Sequence, residues 1–179
     1  KFLLSLYSLS PRVNFMKKIS LILQEALYDF THWAIQPLKP LLKLNSRMEK
    51  ALIPLERIGK EIAYDCKMCG QCILHSTGMV CSMNCPKNLR NGPCGGVRTN
   101  GHCEVKPEIK CVWVRAYENA QLMPKYGAEM LWIQPPVKRN LQGSSAWVNM
   151  LHGVDQKHAI EWQTPARRED LEKLWRNNG

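Results

Sequence analysis

The sequence has no cysteine outside residues 66–111, although all eight of its cysteines lie in that window of a 179-residue chain. It lacks both glycine-rich motifs that cradle nucleotide phosphates, G-x-G-x-x-G and G-x-x-x-x-G-K-[ST]. No apolar run reaches the ~18 residues of a transmembrane helix. The length is short of the ~200 residues that a complete TIM barrel needs. These absences give no support to a nucleotide-binding fold, a transmembrane protein or a whole barrel enzyme, so the cysteine window is the informative feature.

Acidic residues are scarce in the first third of the chain. The net charge is +10, and residues 1–60 hold 10 Lys/Arg against 4 Asp/Glu, a balance of +6. Residues 61–111 and 112–179 contribute +2 each. Such a basic segment is typical of a surface for nucleic acid, an anionic membrane or an acidic partner, and also of a plain solvated surface. Basic and aromatic residues do not interleave within the cysteine window, so we expect no nucleic-acid partner.

The N-terminus has no clear export signal. Residues 2–9 are apolar enough to imitate a short signal sequence, but no A-x-A cleavage site follows. We therefore expect a cytoplasmic protein in a reducing compartment, where disulfides are disfavoured. Met16 is followed by two lysines and resembles a translation start, which would make residues 1–15 upstream sequence with no structural role.

Three parts are predicted along the chain: an N-terminal helical segment over 1–60, a cysteine-rich metal-binding domain over 61–125, and an irregular and helical tail over 126–179. Apolar residues at steps of three and four predict an amphipathic helix over 19–36, ended by Pro37 and Pro40. Its apolar stripe would pack either in the core of the chain or on a partner subunit.

Four further helices are predicted. The capping-box sequence at Ser46 opens the second, whose apolar stripe would be Leu52, Leu55, Ile58 and Ile62, with a bend at Pro54. Pro107 opens the third, with Cys111 in its first turns. Residues 123–143 are expected to be irregular, and short helices to cover 145–151 and 165–177. The predicted fold class is mainly α with a loop-rich, metal-stabilised cysteine module and little β.

The cysteines follow the spacing Cys66-x2-Cys69-x2-Cys72-x8-Cys81-x3-Cys85-x8-Cys94-x8-Cys103-x7-Cys111. Three thiolates in a C-x2-C-x2-C triplet are typical of an iron–sulfur cluster that takes its fourth ligand from elsewhere. Eight cysteines make two sets of four, the ligand count of a [4Fe–4S] cluster or a structural zinc. Two clusters, one cluster with one zinc, and two zincs all remain possible inventories, and the later spacings do not decide the second site.

Other features of the window leave alternatives open. His75 and His102 could replace a thiolate, although a hydrogen-bonding role is more common for such histidines. Four disulfides are the alternative to metal, and the missing export signal disfavours them. The string Asn91-Gly92-Pro93-Cys94-Gly95-Gly96 predicts a turn with positive φ whose N–H groups point at the sulfur, or a tight turn and nothing more.

Several rigidly spaced strings carry a resemblance to a known family. They are CKMCGQCILHSTG at 66–78, CSMNCPK at 81–87, NGPCGG at 91–96, NGHCE at 100–104 and CVW at 111–113. Together they resemble the cysteine-rich domain called the methylenetetrahydrofolate reductase C-terminal domain, over roughly residues 60–125. That domain is found behind a reductase barrel, or as the small subunit beside a separate flavin-containing barrel in acetogen-type enzymes.

The resemblance implies an iron–sulfur accessory or electron-transfer subunit that assists reduction of 5,10-methylenetetrahydrofolate in one-carbon folate metabolism. It implies all eight cysteines as metal ligands, one or two [4Fe–4S] clusters, and zinc as a possibility at the second site. FMN or FAD would lie only in a barrel-type partner subunit, so the chain would be a component of an oxidoreductase that is not catalytic alone. The alternative is a zinc-stabilised protein-interaction module with no redox role.

Overall fold

A computed structural model of the chain describes residues 11–92, 94–155 and 165–178. The described part is mainly helical with almost no strand, and its cysteines lie in a loop-rich region, which confirms these parts of the predicted fold class. Metal stabilisation of that region stays a prediction. Five α-helices are present in it: α1 (Pro11–Ile35), α2 (Arg47–Tyr64), α3 (Val112–Ala120), α4 (Ala146–Leu151) and α5 (Pro165–Asn178). The loop-rich segment that carries the cysteines lies between α2 and α3. None of the helices in the described ranges is long and apolar enough to cross a membrane.

Helix α1 begins eight residues before the predicted helix and ends one residue before it. Residues 11–15 are therefore helical, and residues 1–10 lie outside the described part. The expectation that 1–15 has no structural role stays a prediction. The apolar stripe does not pack in the core, since Leu23, Phe30 and Trp33 are exposed. The side chains that α1 buries are Leu21, Glu25 and Ile35. The core-packing interpretation of the stripe is thus wrong.

The carboxylates of α1 attach it to the loop after α3. Glu25 Oε1 accepts hydrogen bonds from the backbone N–H groups of Lys125 (3.1 Å) and Tyr126 (2.9 Å). One turn later, Asp29 accepts from the Lys125 ammonium (2.6 Å) and from the Tyr126 hydroxyl. A loop outside regular structure has no internal partners for its N–H groups, so polar side chains of the helix satisfy them. This explains why α1 turns a partly polar face inward.

Helix α2 begins where the capping sequence predicts. Ser46 Oγ accepts from the Glu49 N–H at 3.1 Å, while the Glu49 carboxylate reaches back to the N–H of Asn45. Pro54 lies within the helix without ending it. Most of the predicted apolar stripe is again outward, because Leu55, Ile58 and Ile62 are exposed, while Leu52 packs against an apolar cluster.

The inward face of α2 is polar. Glu56, fully buried, pairs with Lys60 at 2.5 Å and accepts a hydrogen bond from Ser145 Oγ at 2.5 Å. Ser145 is the N-cap of α4, and its Oγ also accepts from the N–H of Val148. The carboxylate of α2 therefore fixes the start of α4 from 89 residues away.

Helix α3 begins at Val112 rather than near Pro107, so Cys111 is its N-cap and does not lie in its first turns. The preceding residues pair with the chain instead. The N–H of Cys103 bonds the carbonyl of Ile109 (3.1 Å), and the N–H of Cys111 bonds the carbonyl of Gly101 (2.9 Å). These bonds use backbone groups that a longer helix would need, which is why α3 starts late.

Within the described ranges, three small apolar clusters take the place of one large core. The first joins Val80, Cys85, Cys111, Val112, Trp113 and Ala116. The second packs Leu21 of α1 on Leu74, Met79 and Met123. The third joins Ile35, Leu42, Val148 and Leu151. Residues 123–143 are irregular as predicted, apart from short 3-10 turns at Gly127–Leu131 and Arg139–Leu141.

Candidate metal centre

Four of the eight cysteines line one small cavity: Cys66, Cys69, Cys72 and Cys81. The first three are the C-x2-C-x2-C triplet, and the fourth comes from the start of the 3-10 turn Ser82–Asn84. Spacing alone left the fourth member of this group open, and the fold selects Cys81. All eight cysteines of the chain are free thiols, so no disulfide competes for them.

Backbone in the left-handed region shapes the triplet. Met68 has φ +46° and Gly70 has φ +73°, so the chain reverses direction between successive cysteines. In this conformation the N–H of Met68 donates to Cys66 Sγ at 3.4 Å. A non-glycine residue at positive φ is uncommon and is maintained only where surrounding contacts fix it.

Contacts from the C-terminal part of the chain fix the loop over residues 66–72 that carries the cysteine triplet, named the triplet loop. Three donors bond its carbonyls: the Gln142 amide to Lys67, the Gly143 N–H to Met68, and the Asn149 amide to Gly70, at 2.8–2.9 Å. Sequence reasoning missed these contacts, because Gln142 and Asn149 carry no recognisable motif. The tail thus packs on the chain's own cysteine loop.

Gln71, only 1% exposed, anchors the same loop with its side chain. Its amide nitrogen donates to the carbonyl of Asp155 (3.0 Å), and its amide oxygen accepts from the N–H of Lys138 (2.6 Å). Gln71 lies between two cysteines, and nothing in the sequence indicates that its side chain holds the loop. This role is structural.

A buried guanidinium lies beside the four thiols of Cys66, Cys69, Cys72 and Cys81, which are named the first thiol group. Arg90 Nη2 donates to the carbonyl of Gln71 at 2.8 Å, and Nη1 lies 4.0 Å from Cys69 Sγ. Its Nε–H is buried with no acceptor among the described residues. A buried cation next to four thiols favours a negative charge in the cavity.

The thiols influence each other's ionisation. A hydrogen bond between Cys66 and Cys81 lowers the pKa of Cys81 to about 6 and raises the pKa of Cys66. The N–H groups of Lys67 and Met83 further favour the Cys81 thiolate. Burial raises the pKa of Cys72, although the Lys60 ammonium opposes this effect. Thiolate is the form that binds metals, so the hydrogen bond and the two N–H groups favour the metal-binding form of Cys81.

A larger cavity of about 470 Å³ adjoins the first thiol group. Cys72 lines both cavities, and so does Lys60. The pKa of Lys60 is raised because the charges of Cys72 and Glu56 outweigh the desolvation that burial causes. Its ammonium also lies 4.8 Å from the centre of the Trp147 ring.

The other four cysteines, named the second group, lie in or beside the apolar cluster that contains Trp113 of α3. Cys85 and Cys111 are buried in the Trp113 cluster, and Cys94 packs against it. Cys103 is buried in the neighbouring bridge, opposite Val97. The Trp113 ring N–H is buried and finds no acceptor in the described part of the chain.

The two candidate histidines have other partners. His75 Nδ1 contacts the Glu129 carboxylate and lies 3.0 Å from Ser76 Oγ. His102 Nδ1 lies 2.8 Å from the carbonyl of Pro107. Both therefore have the hydrogen-bonding role, and the chemistry of the donor set is that of thiols.

Of the glycines near Cys94, Gly92 and Gly96 are closely packed, whereas a Cβ at Gly95 would meet no atom within 4 Å. The N–H of Gly96 does donate to Cys94 Sγ at 3.4 Å, as expected. None of Gly92, Gly95 and Gly96 has positive φ, so that part of the expectation is wrong. A Cβ at Gly92 would lie 2.5 Å from the Trp113 ring. Pro93 lies outside the described residues.

No three His, Cys, Asp or Glu side chains in the described ranges converge closely enough to hold a single metal ion. A zinc with sulfur ligands at ~2.3 Å would need its thiolates roughly 3.8 Å apart. In a cubane cluster each thiolate binds a different iron, so the thiolates lie farther apart. Four thiols are the ligand number of both kinds of metal group, so the donor set fits either a cluster or a zinc.

The model of one protein family, described as "Methylene-tetrahydrofolate reductase C terminal", matches residues 45–139. This chain belongs to that family. The match includes α2, both thiol groups and α3, and it confirms the resemblance found in the sequence. Among curated proteins and among solved structures, nothing matches the chain. Helix α1 and most of the residues that bond the triplet loop lie outside the matched range of the reductase C-terminal family.

Gly70→Ala is expected to destabilise the triplet loop. The added Cβ would lie 2.2 Å from the Leu141 carbonyl oxygen, in addition to the cost of φ +73°. Overpacking and left-handed strain together predict a loss of about 2–5 kcal/mol. Gly143→Ala is the matched control, because φ is +83° there and no atom lies within 4 Å of the new Cβ. Urea unfolding followed by circular dichroism measures both, and equal losses would contradict the steric explanation.

Proposed function

We propose that the chain is an iron–sulfur accessory subunit that exchanges electrons with a separate, flavin-dependent barrel subunit of a methylenetetrahydrofolate reductase. The family match places the chain in that reductase family, and the proposal adds the electron-transfer role, the metal content and the partner. The observation that carries it is the set of four thiols around one cavity, next to the buried guanidinium of Arg90.

The eight cysteines would form two sets of metal ligands. Cys66, Cys69, Cys72 and Cys81 would hold a [4Fe–4S] cluster. The second set, Cys85, Cys94, Cys103 and Cys111, would hold another cluster or a zinc. A bound [4Fe–4S] cluster supplies single-electron storage, with a potential set by charge, burial and hydrogen bonds to sulfur.

The residues around the first set have tuning roles in this proposal. The Arg90 guanidinium offsets the negative charge of four thiolates in a buried site, and the Met68 N–H donates to Cys66 Sγ. Both contacts favour the more negative, reduced state and so raise the reduction potential. Eight free thiols also fit a reducing, cytoplasmic compartment.

Electron delivery to free FMN tests the proposal. The anaerobically purified full chain is reduced with dithionite, desalted and mixed with excess oxidised FMN. We expect bleaching of the flavin absorption by roughly one electron per cluster. The same chain after iron removal with bipyridyl is the control and should bleach nothing. A chain that holds zinc alone and delivers no electrons would support the zinc-stabilised interaction module instead.

A further inference from the structure

The outward faces of α1 and α2 are apolar to an unusual degree. Phe30 is 59% exposed and Leu55 is 67% exposed. Large exposed apolar patches mark sites of interaction rather than ordinary surface. Both helices turn carboxylates inward and apolar side chains outward. The apolar exposure is therefore shared by two helices and is not limited to a single residue.

Between the two helices the apolar surface becomes concave. The C-terminal half of α1 and the N-terminal half of α2 enclose a groove of about 440 Å³. Its walls are almost entirely apolar and are formed by Phe30, Ala34, Leu38, Met48, Leu55 and Trp147. A groove of this kind between helices fits apolar side chains that project from one face of another helix.

Around the groove the unneutralised charge is positive. In residues 14–56 every acidic side chain accepts a hydrogen bond from within the chain. Glu25, Asp29 and Glu56 make the contacts of α1 and α2 given under the overall fold. Glu49 accepts from the N–H groups of Asn45 and Ser145. Four basic residues are direct sequence neighbours of residues that line the groove, and all four are exposed: Lys39, Lys43, Arg47 and Lys50. An apolar groove with a basic rim is complementary to an apolar stripe with acidic flanks.

Other occupants fit this surface less well. A bilayer surface is flat and does not fill a concave groove. A second copy of the chain, placed symmetrically on the groove, would bring the same four cations against each other, which like-charge repulsion disfavours.

We propose that the groove between α1 and α2 binds an amphipathic helix of a partner protein whose apolar face is flanked by Asp and Glu. This goes beyond the proposed function, because the partner is defined by its surface chemistry alone. It holds whether or not the thiol groups carry electrons, so the FMN experiment and the binding experiment can fail separately.

Two synthetic helical peptides test the proposal on the full chain. Both carry leucines at i, i+3, i+4 and i+7; one has glutamates beside the leucines and the other has lysines. Fluorescence anisotropy should show that the glutamate peptide binds at least ~10-fold more tightly. Leu55→Glu should weaken that binding by ~10-fold or more. Ile62→Glu is the matched control on the same helix, since Ile62 does not line the groove, and it should change little.

A charge reversal makes the test sharper. Lys43→Glu combined with Lys50→Glu should reverse the preference between the two peptides, and circular dichroism should show an unchanged fold because both side chains are exposed. Equal binding of the peptides, or no effect of Leu55→Glu, would overturn the proposal. So would self-association, or binding to anionic phosphatidylglycerol vesicles, that Leu55→Glu abolishes.

Discussion

Replacement of Cys81 by alanine is expected to remove the same iron–sulfur signal as replacement of Cys69. Both thiols line the same cavity, and a [4Fe–4S] cluster needs four ligands. The Cys81→Ala chain should lose about half of its iron if both thiol groups hold clusters, and all of it if only the first group does. Electron paramagnetic resonance of the reduced chain, with iron and sulfide assays, measures the loss.

Cys94→Ala is the matched control for this prediction. Cys94 packs against the second group, so this variant should keep the signal that Cys69→Ala and Cys81→Ala remove. The assignment of the fourth ligand would be wrong if Cys94→Ala lost the Cys69 signal while Cys81→Ala kept it.

Glu56→Ala is expected to have the largest effect on stability outside the cysteines. The substitution leaves the largely buried Lys60 ammonium and the buried Ser145 hydroxyl without their shared partner. Breaking a buried ion pair from one side costs about 3–5 kcal/mol. In a chain of this size that corresponds to a decrease of roughly 6–20 °C in Tm. Thermal unfolding followed by circular dichroism measures it.

Glu61→Ala on the same helix is the control. Glu61 pairs with Arg57 at 3.4 Å, but more than half of each side chain is exposed. An exposed pair contributes about 0–1 kcal/mol, so Tm should fall by no more than roughly 4 °C. A Glu56→Ala chain as stable as Glu61→Ala would show that the buried pair does not hold α4 in place.

The capping box at Ser46 and the C-x2-C-x2-C triplet were readable in the sequence because each is a local pattern with a local cause. Helix α3 was placed too early, since the pairing of Cys103 with Ile109 is a contact between segments that spacing does not encode. For the same reason the fourth thiol of the first group became clear only in the fold.

The faces of α1 and α2 show a different limit of periodicity. Steps of three and four predict a helix and an apolar stripe, but they do not say what the stripe faces. Here the inward positions are held by Glu25 and Glu56, because the loops they contact need hydrogen-bond partners. The apolar stripes of both helices therefore face mainly outward.

The metal content of the full chain tests the central claim most directly. The protein is purified without oxygen, and iron, acid-labile sulfide and zinc are counted per chain. The two thiol groups predict about four or about eight irons with an equal number of sulfides, and at most one zinc beside the smaller number. Zinc at both sites, with neither iron nor labile sulfide, would contradict the electron-transfer function.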